Sequence, residues 1–177
     1  MKKFFIIVSL ILTFFLIYFL QINIFNNLTI AGIKPNLFII FVLFVGLFVN
    51  SSVGIVMGVF VGIVLDLLYG KSIGISAVMY CIIGYLGTYF DKNFSKENKF
   101  TIILMCAGAT AIYEFGYYML SSLIINFDRE IFQFLKILII EVIYNILLTI
   151  IIYPLIQKAG FSIDRTFKRN NVLTRYF

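Results

Sequence analysis

The stretch that decides the fold is Gly54–Phe90, GIVMGVFVGIVLDLLYGKSIGISAVMYCIIGYLGTYF. It holds two apolar segments joined by a four-residue turn, Gly70-Lys71-Ser72-Ile73. Glycines stand at 54, 58, 62, 70 and 74, and Asp66 falls on the same four-residue step; Gly84 and Gly87 follow in the second segment. Between helices in lipid the hydrophobic drive is weak, so small residues that admit a close backbone approach hold such helices together. A carboxylate on that ridge is unfavourable unless it faces protein or water. The stretch therefore predicts a tightly packed helical hairpin with one polar feature near its tip. Glycines at every fourth position drift by about 40° per step around an α-helix. The oblique ridge they form predicts a crossing helix more than a long parallel contact.

Working outward, the whole chain has the composition of a membrane protein. Of 177 residues, 62% are hydrophobic and 12% charged; a soluble domain averages about 45–50% and 25%. One soluble core of this size could not bury that much apolar surface. The formal charge of +6 is then read by side of membrane and not as a nucleic-acid footprint. The expected architecture is an all-α integral membrane domain, 1–177, with six spans at about 4–20, 36–49, 53–69, 73–90, 100–125 and 132–157. Met1-Lys2-Lys3 precedes an apolar run longer than a signal-peptide core, with no small-residue cleavage site after it, so the run reads as an uncleaved first span. Pro35 suits the first turn of the second span, where its missing N–H is not needed. Pro154 interrupts the sixth span late, Gly160 marks its end, and the basic tail 161–177 either lies along the inner membrane face or is solvated.

Residues 36–69 pose a choice between one helix and two. One helix would be about 50 Å long, too long for a hydrocarbon core of about 30 Å. Charge points the same way. Six spans with a cytoplasmic N-terminus put ten Lys and Arg inside (Lys2, Lys3, Lys92, Lys96, Lys99, Lys158, Arg165, Lys168, Arg169, Arg175) and four outside (Lys34, Lys71, Arg129, Lys136). Merging the two segments leaves five inside and nine outside, against the positive-inside rule.

Three acids lie within or beside the spans: Asp66, Glu114 and Glu141. An ionisable residue there is a functional-site hypothesis. Asp66 has Lys71 five residues on; it either caps or salt-bridges the hairpin tip or anchors a partner's segment. Glu114 has Thr110, Tyr117, Tyr118 and Ser121 at helical spacing, and Glu141 has Tyr144, Asn145 and Thr149. No cation lies deep in any span. Glu114, Glu141 and Asn145 predict a hydrogen-bonded polar seam between helices, with a proton relay or a small-ligand pocket as the sharper alternatives. Cys81 and Cys106 differ in depth by roughly 10 Å, beyond disulfide reach, and read as small buried hydrophobes. With no histidine, no nucleophile–base pair and no phosphate-cradling loop, the chain gives little support to an enzyme. No metal or other cofactor is expected.

The run Gly62-x3-Asp66-Leu67-Leu68-x-Gly70-x3-Gly74-x2-Ala77, followed by Gly84-Tyr85-Leu86-x3-Phe90, resembles the rod shape-determining protein MreD family, and Ile33-x-Pro35-Asn36-Leu37 resembles the start of that family's second span. The resemblance implies a multi-pass protein of the bacterial inner membrane that positions others in the cell-elongation machinery. It implies association with the membrane-anchored protein MreC and, through the wider complex, with MreB and the peptidoglycan synthases, in a setting of membrane lipids and with room for a homo-oligomer. On that reading Gly54, Gly58, Gly62, Asp66, Gly70 and Gly74 shape a packing and docking surface. The competing reading is the membrane-embedded substrate-binding component of a vitamin transporter, in which Glu114, Glu141 and Asn145 would line the pocket.

Overall fold

The computed structural model describes residues 2–69, 74–94, 98–125 and 130–168, and they form an all-helical bundle. Its elements are α1 (Lys2–Asn23), α2 (Leu37–Phe48), α3 (Ser51–Tyr69), α4 (Ile75–Asn93), α5 (Lys99–Ile125) and α6 (Ile131–Lys168). Gly70 and Lys71 of the expected turn, residues 126–129 and the tail 169–177 lie outside the described residues. Four helices contain stretches long and apolar enough to cross a membrane: Phe4–Asn23, Ser52–Tyr69, Lys99–Ile124 and Ile131–Asp164.

The short helix α2 sits at the centre. All 12 of its residues are buried, and it touches each of the other five helices. At about 1.5 Å per residue it is only about 18 Å long, so neighbouring helices, and not lipid, cover it. Asn36 caps it, its Oδ1 accepting from Ile39 N–H at 3.4 Å. The helix ends at Val49, and the chain reverses at once into α3. Gly46 and Gly54 prove the reversal. Eight residues apart, they would be about 12 Å apart along one helix, yet a Cβ on Gly54 would lie 2.7 Å from the Cα of Gly46. Residues 36–69 are thus two helices.

Helix α4 returns antiparallel to α3 and parallel to α2. Tyr80 donates to Asn36 Oδ1 near one end (3.0 Å), and Thr88 donates to the Gly46 carbonyl further along (3.0 Å). Helices α5 and α6 form a second antiparallel hairpin, joined by Asn145 to Thr110 and by Thr149 to Cys106. Helix α6 continues without a break through Pro154 to Lys168, past the end that Pro154 and Gly160 suggested. Proline removes one i→i−4 hydrogen bond, and packing of this end on α2 compensates: Phe161 meets the Phe48 ring edge-on at 5.7 Å between centroids, and Gly160 lies directly under that ring. Helix α1 is peripheral. It buries Leu10 and Phe14, the latter against Phe38 and Phe60, while Phe4, Phe5, Leu12, Phe15 and Phe19 stay exposed, as a lipid-facing helix requires.

Candidate functional site

The glycine face of α3 is spent on α4. A Cβ on Gly58 would strike the carbonyl of Tyr80, one on Gly62 the backbone of Ala77, and one on Gly84 the carbonyl of Gly54. The partners on α4 step back by about four residues for each four on α3. Two oblique rows therefore run along each other, and the contact persists for about two turns instead of crossing at a point. This backbone-to-backbone approach is what small residues permit between helices in lipid. At the end near Val49 three helices converge: Gly87 lies against Leu43, Gly46 and Leu47 of α2, and Gly46 lies against Gly84. Gly46, a lone glycine in the Phe-rich second segment, has no ridge on its own helix to announce it.

Asp66 closes the ridge at the hairpin tip. Its Oδ2 accepts from Gly74 N–H at 2.7 Å and Ala77 N–H at 3.4 Å, and its Oδ1 from Ser76 N–H at 3.3 Å. These are the free amides at the start of α4, and the carboxylate satisfies them while sitting at the positive end of the helix. Gly74 serves this turn by conformation: its φ of 109° is left-handed, and nothing would meet a Cβ there. Gly70 and Lys71 lie outside the described residues.

Glu114, Glu141 and Asn145 come together between α5 and α6, all buried. Asn145 is fully inaccessible and ties three elements: its Oδ1 accepts the Asn36 N–H at 2.9 Å, its amide donates to Thr110 Oγ1 at 3.0 Å, and its carbonyl faces Cys106 Sγ at 3.8 Å. Asn36 in turn accepts from Tyr80, so one network joins α2, α4, α5 and α6. Cys106 belongs to it as well, accepting from Thr149 at 3.1 Å; both cysteines are free. Tyr80 and Tyr113 were not singled out in the sequence, and Asn36 was quoted only within the family motif. An asparagine before an apolar run is a helix-start signal and gives no hint of its partners on α4 and α6, and a tyrosine in an apolar span carries no signal.

Above this network lies a cavity of about 430 Å³. It opens at the end of the bundle that carries the α1–α2 loop, the C-terminus of α3 and the N-termini of α4 and α6. Its walls include Gln21, Lys34, Asn36, Asp66, Tyr69, Tyr80, Tyr113, Tyr117 and Glu141. Of the three polar-seam residues, Glu141 alone lines it. Gln21 fixes the rim, donating to the Pro35 carbonyl at 2.7 Å and accepting from Leu37 N–H at 3.3 Å. Among the described residues no group of His, Cys, Asp or Glu is arranged to hold a metal.

A helical bundle with four helices fit to cross a bilayer, lipid-ready outer faces and polar groups turned inward defines a membrane protein. Residues 1–159 match the model of the rod shape-determining protein MreD family, and the chain belongs to that family. Its place is therefore in the determination of rod shape. No curated protein and no solved structure matches the chain.

Proposed function

We propose that this chain is a non-catalytic scaffold of the bacterial inner membrane. It crosses six times with both termini in the cytoplasm, and it holds MreC and thereby the cell-wall synthases in the elongation machinery. The family match over residues 1–159 carries the reading. The structure supports it through the build of the α3–α4 hairpin. Backbone contacts along Gly54, Gly58 and Gly62 and the capped tip at Asp66 make it a stiff unit. On the sides turned away from each other both helices are apolar and exposed, at Val56, Ile63 and Leu67 on α3 and at Val78, Ile82 and Tyr85 on α4. A stiff, apolar hairpin offers a partner's transmembrane segment a surface that needs little ordering on binding. Six crossings place the cavity and the hairpin tip on the periplasmic side and 91–99 in the cytoplasm, in accord with the distribution of Lys and Arg.

The test is complementation of a rod-shaped host depleted of its own family member. The wild-type chain should restore rods, and Gly58→Leu or Gly62→Leu, inserted in the membrane at wild-type level, should leave cells round. Rods restored by both bulky variants would refute the role of the hairpin.

A further inference from the structure

The cavity holds one acceptor that the protein leaves unanswered. The Glu141 side chain is 7% exposed, and its Oε1 has no hydrogen-bond partner among the described residues. A buried, unpaired polar atom is unfavourable, so a donor is expected from outside the chain. The neighbours do not supply it. Glu114 and Asn36 both hydrogen-bond the Glu141 side chain, yet neither reaches Oε1, and a bond between two carboxyl groups uses a single shared proton. Asp66, the other carboxylate of the wall, is occupied by three backbone amides. Lys34 is the one cation among the described lining residues, and its ammonium is engaged at the exposed rim, 2.6 Å from Asn26 Oδ1.

The walls around this acceptor are aromatic. The Tyr80 and Tyr113 rings lie 4.7 Å apart between centroids, and Tyr113 stacks on Tyr117 at 6.0 Å. A carboxylate oxygen among tyrosine rings is the chemistry that selects an organic cation, through a charge-assisted hydrogen bond and through the negative faces of the rings. The volume of about 430 Å³ falls within the range of small-ligand pockets, about 300–1,000 Å³. We propose that this cavity binds a small organic ammonium compound. The protonated amine donates to Glu141 Oε1, and the apolar body lies against Tyr113 and Tyr117 toward the open end. This site stands independently of the scaffold reading.

The experiment is calorimetric titration of the full chain in detergent micelles with benzylamine, protonated at neutral pH, and with benzyl alcohol, its neutral counterpart of equal size. Benzylamine should bind saturably, and benzyl alcohol at least about tenfold more weakly, the worth of a charged hydrogen bond. Glu141→Gln should weaken benzylamine by a similar factor and leave benzyl alcohol unchanged. Ile137→Phe, which adds bulk to the wall one turn before Glu141 without touching an acid, should abolish binding of both. Equal affinity for the two probes, unchanged benzylamine binding in Glu141→Gln, or no saturable binding of benzylamine would overturn the proposal. The probe comparison on the wild-type chain decides the matter should Glu141→Gln fail to fold.

Discussion

Replacing Gly58 by alanine adds one methyl group at one of the tightest helix contacts. That carbon would lie 2.6 Å from the Tyr80 carbonyl carbon and 3.0 Å from Cys81 N. Carbon pairs rest at about 3.5–4.0 Å, and both obstacles are backbone, so α3 and α4 must part by about 1 Å. A gap of that size forfeits about a quarter to a half of each dispersion contact along the seam. Overpacking of this kind destabilises by about 1–3 kcal/mol. Alanine's better helix propensity returns roughly 0.5–1 kcal/mol, leaving a net loss of about 0.5–2 kcal/mol. Gly108 on α5 is the internal control. Nothing lies within 4 Å of a Cβ there, so Gly108→Ala receives only the propensity gain and should be stabilised by about 0.5–1 kcal/mol. Reversible unfolding in mixed detergent–SDS micelles, followed by circular dichroism, measures both. Equal midpoints for the two variants, or a Gly58→Ala protein as stable as wild type, would refute the reasoning.

Asp66→Asn turns one of the two accepting oxygens into a donor that faces backbone N–H groups, and should lower stability in the same assay by about 1–2 kcal/mol; an unchanged midpoint would dismiss the cap as a source of stability. If the charge also serves the partner, MreC recovered with the Asp66→Asn protein should fall relative to wild type at equal protein level. Asn145→Leu strands the Asn36 N–H and frees Thr110 Oγ1, which should destabilise by about 1–3 kcal/mol, whereas wild-type stability would mean that the network is dispensable. Maleimide labelling in micelles should reach half-buried Cys81 and spare buried Cys106 until the protein unfolds; equal rates would contradict the α5–α6 packing.

The positions of the apolar segments were legible because length and hydropathy mark them, and helix length together with charge separated α2 from α3. The Asp66 cap was legible as one of two roles, since an acid one turn before a glycine turn is placed to meet the next helix start. The complete burial of α2 was not. A helix covered on every side has no polar face, so its sequence carries no period to read. Gly46 was missed for a related reason: its partners, Gly84 and Gly87, are about forty residues away, and only the fold brings them together. The length of the α3–α4 contact was misjudged because drift was counted on one helix, whereas both rows drift together. Helix α6 passes Pro154 because Phe161 and Gly160 find Phe48 on α2, a tertiary contact that overrides the local break. A pocket lined by Glu114, Glu141 and Asn145 was one alternative in the sequence; Glu141 alone lines the cavity, and its tyrosine walls come from three helices and had no common signature.

The scaffold claim is tested most directly by recovering the tagged chain from mild-detergent extracts of its host and identifying the bound proteins by mass spectrometry. The account predicts MreC and cell-wall synthases in amounts comparable to the bait, reduced by Gly58→Leu. ATPase subunits of a transporter in their place, with no MreC, would contradict it.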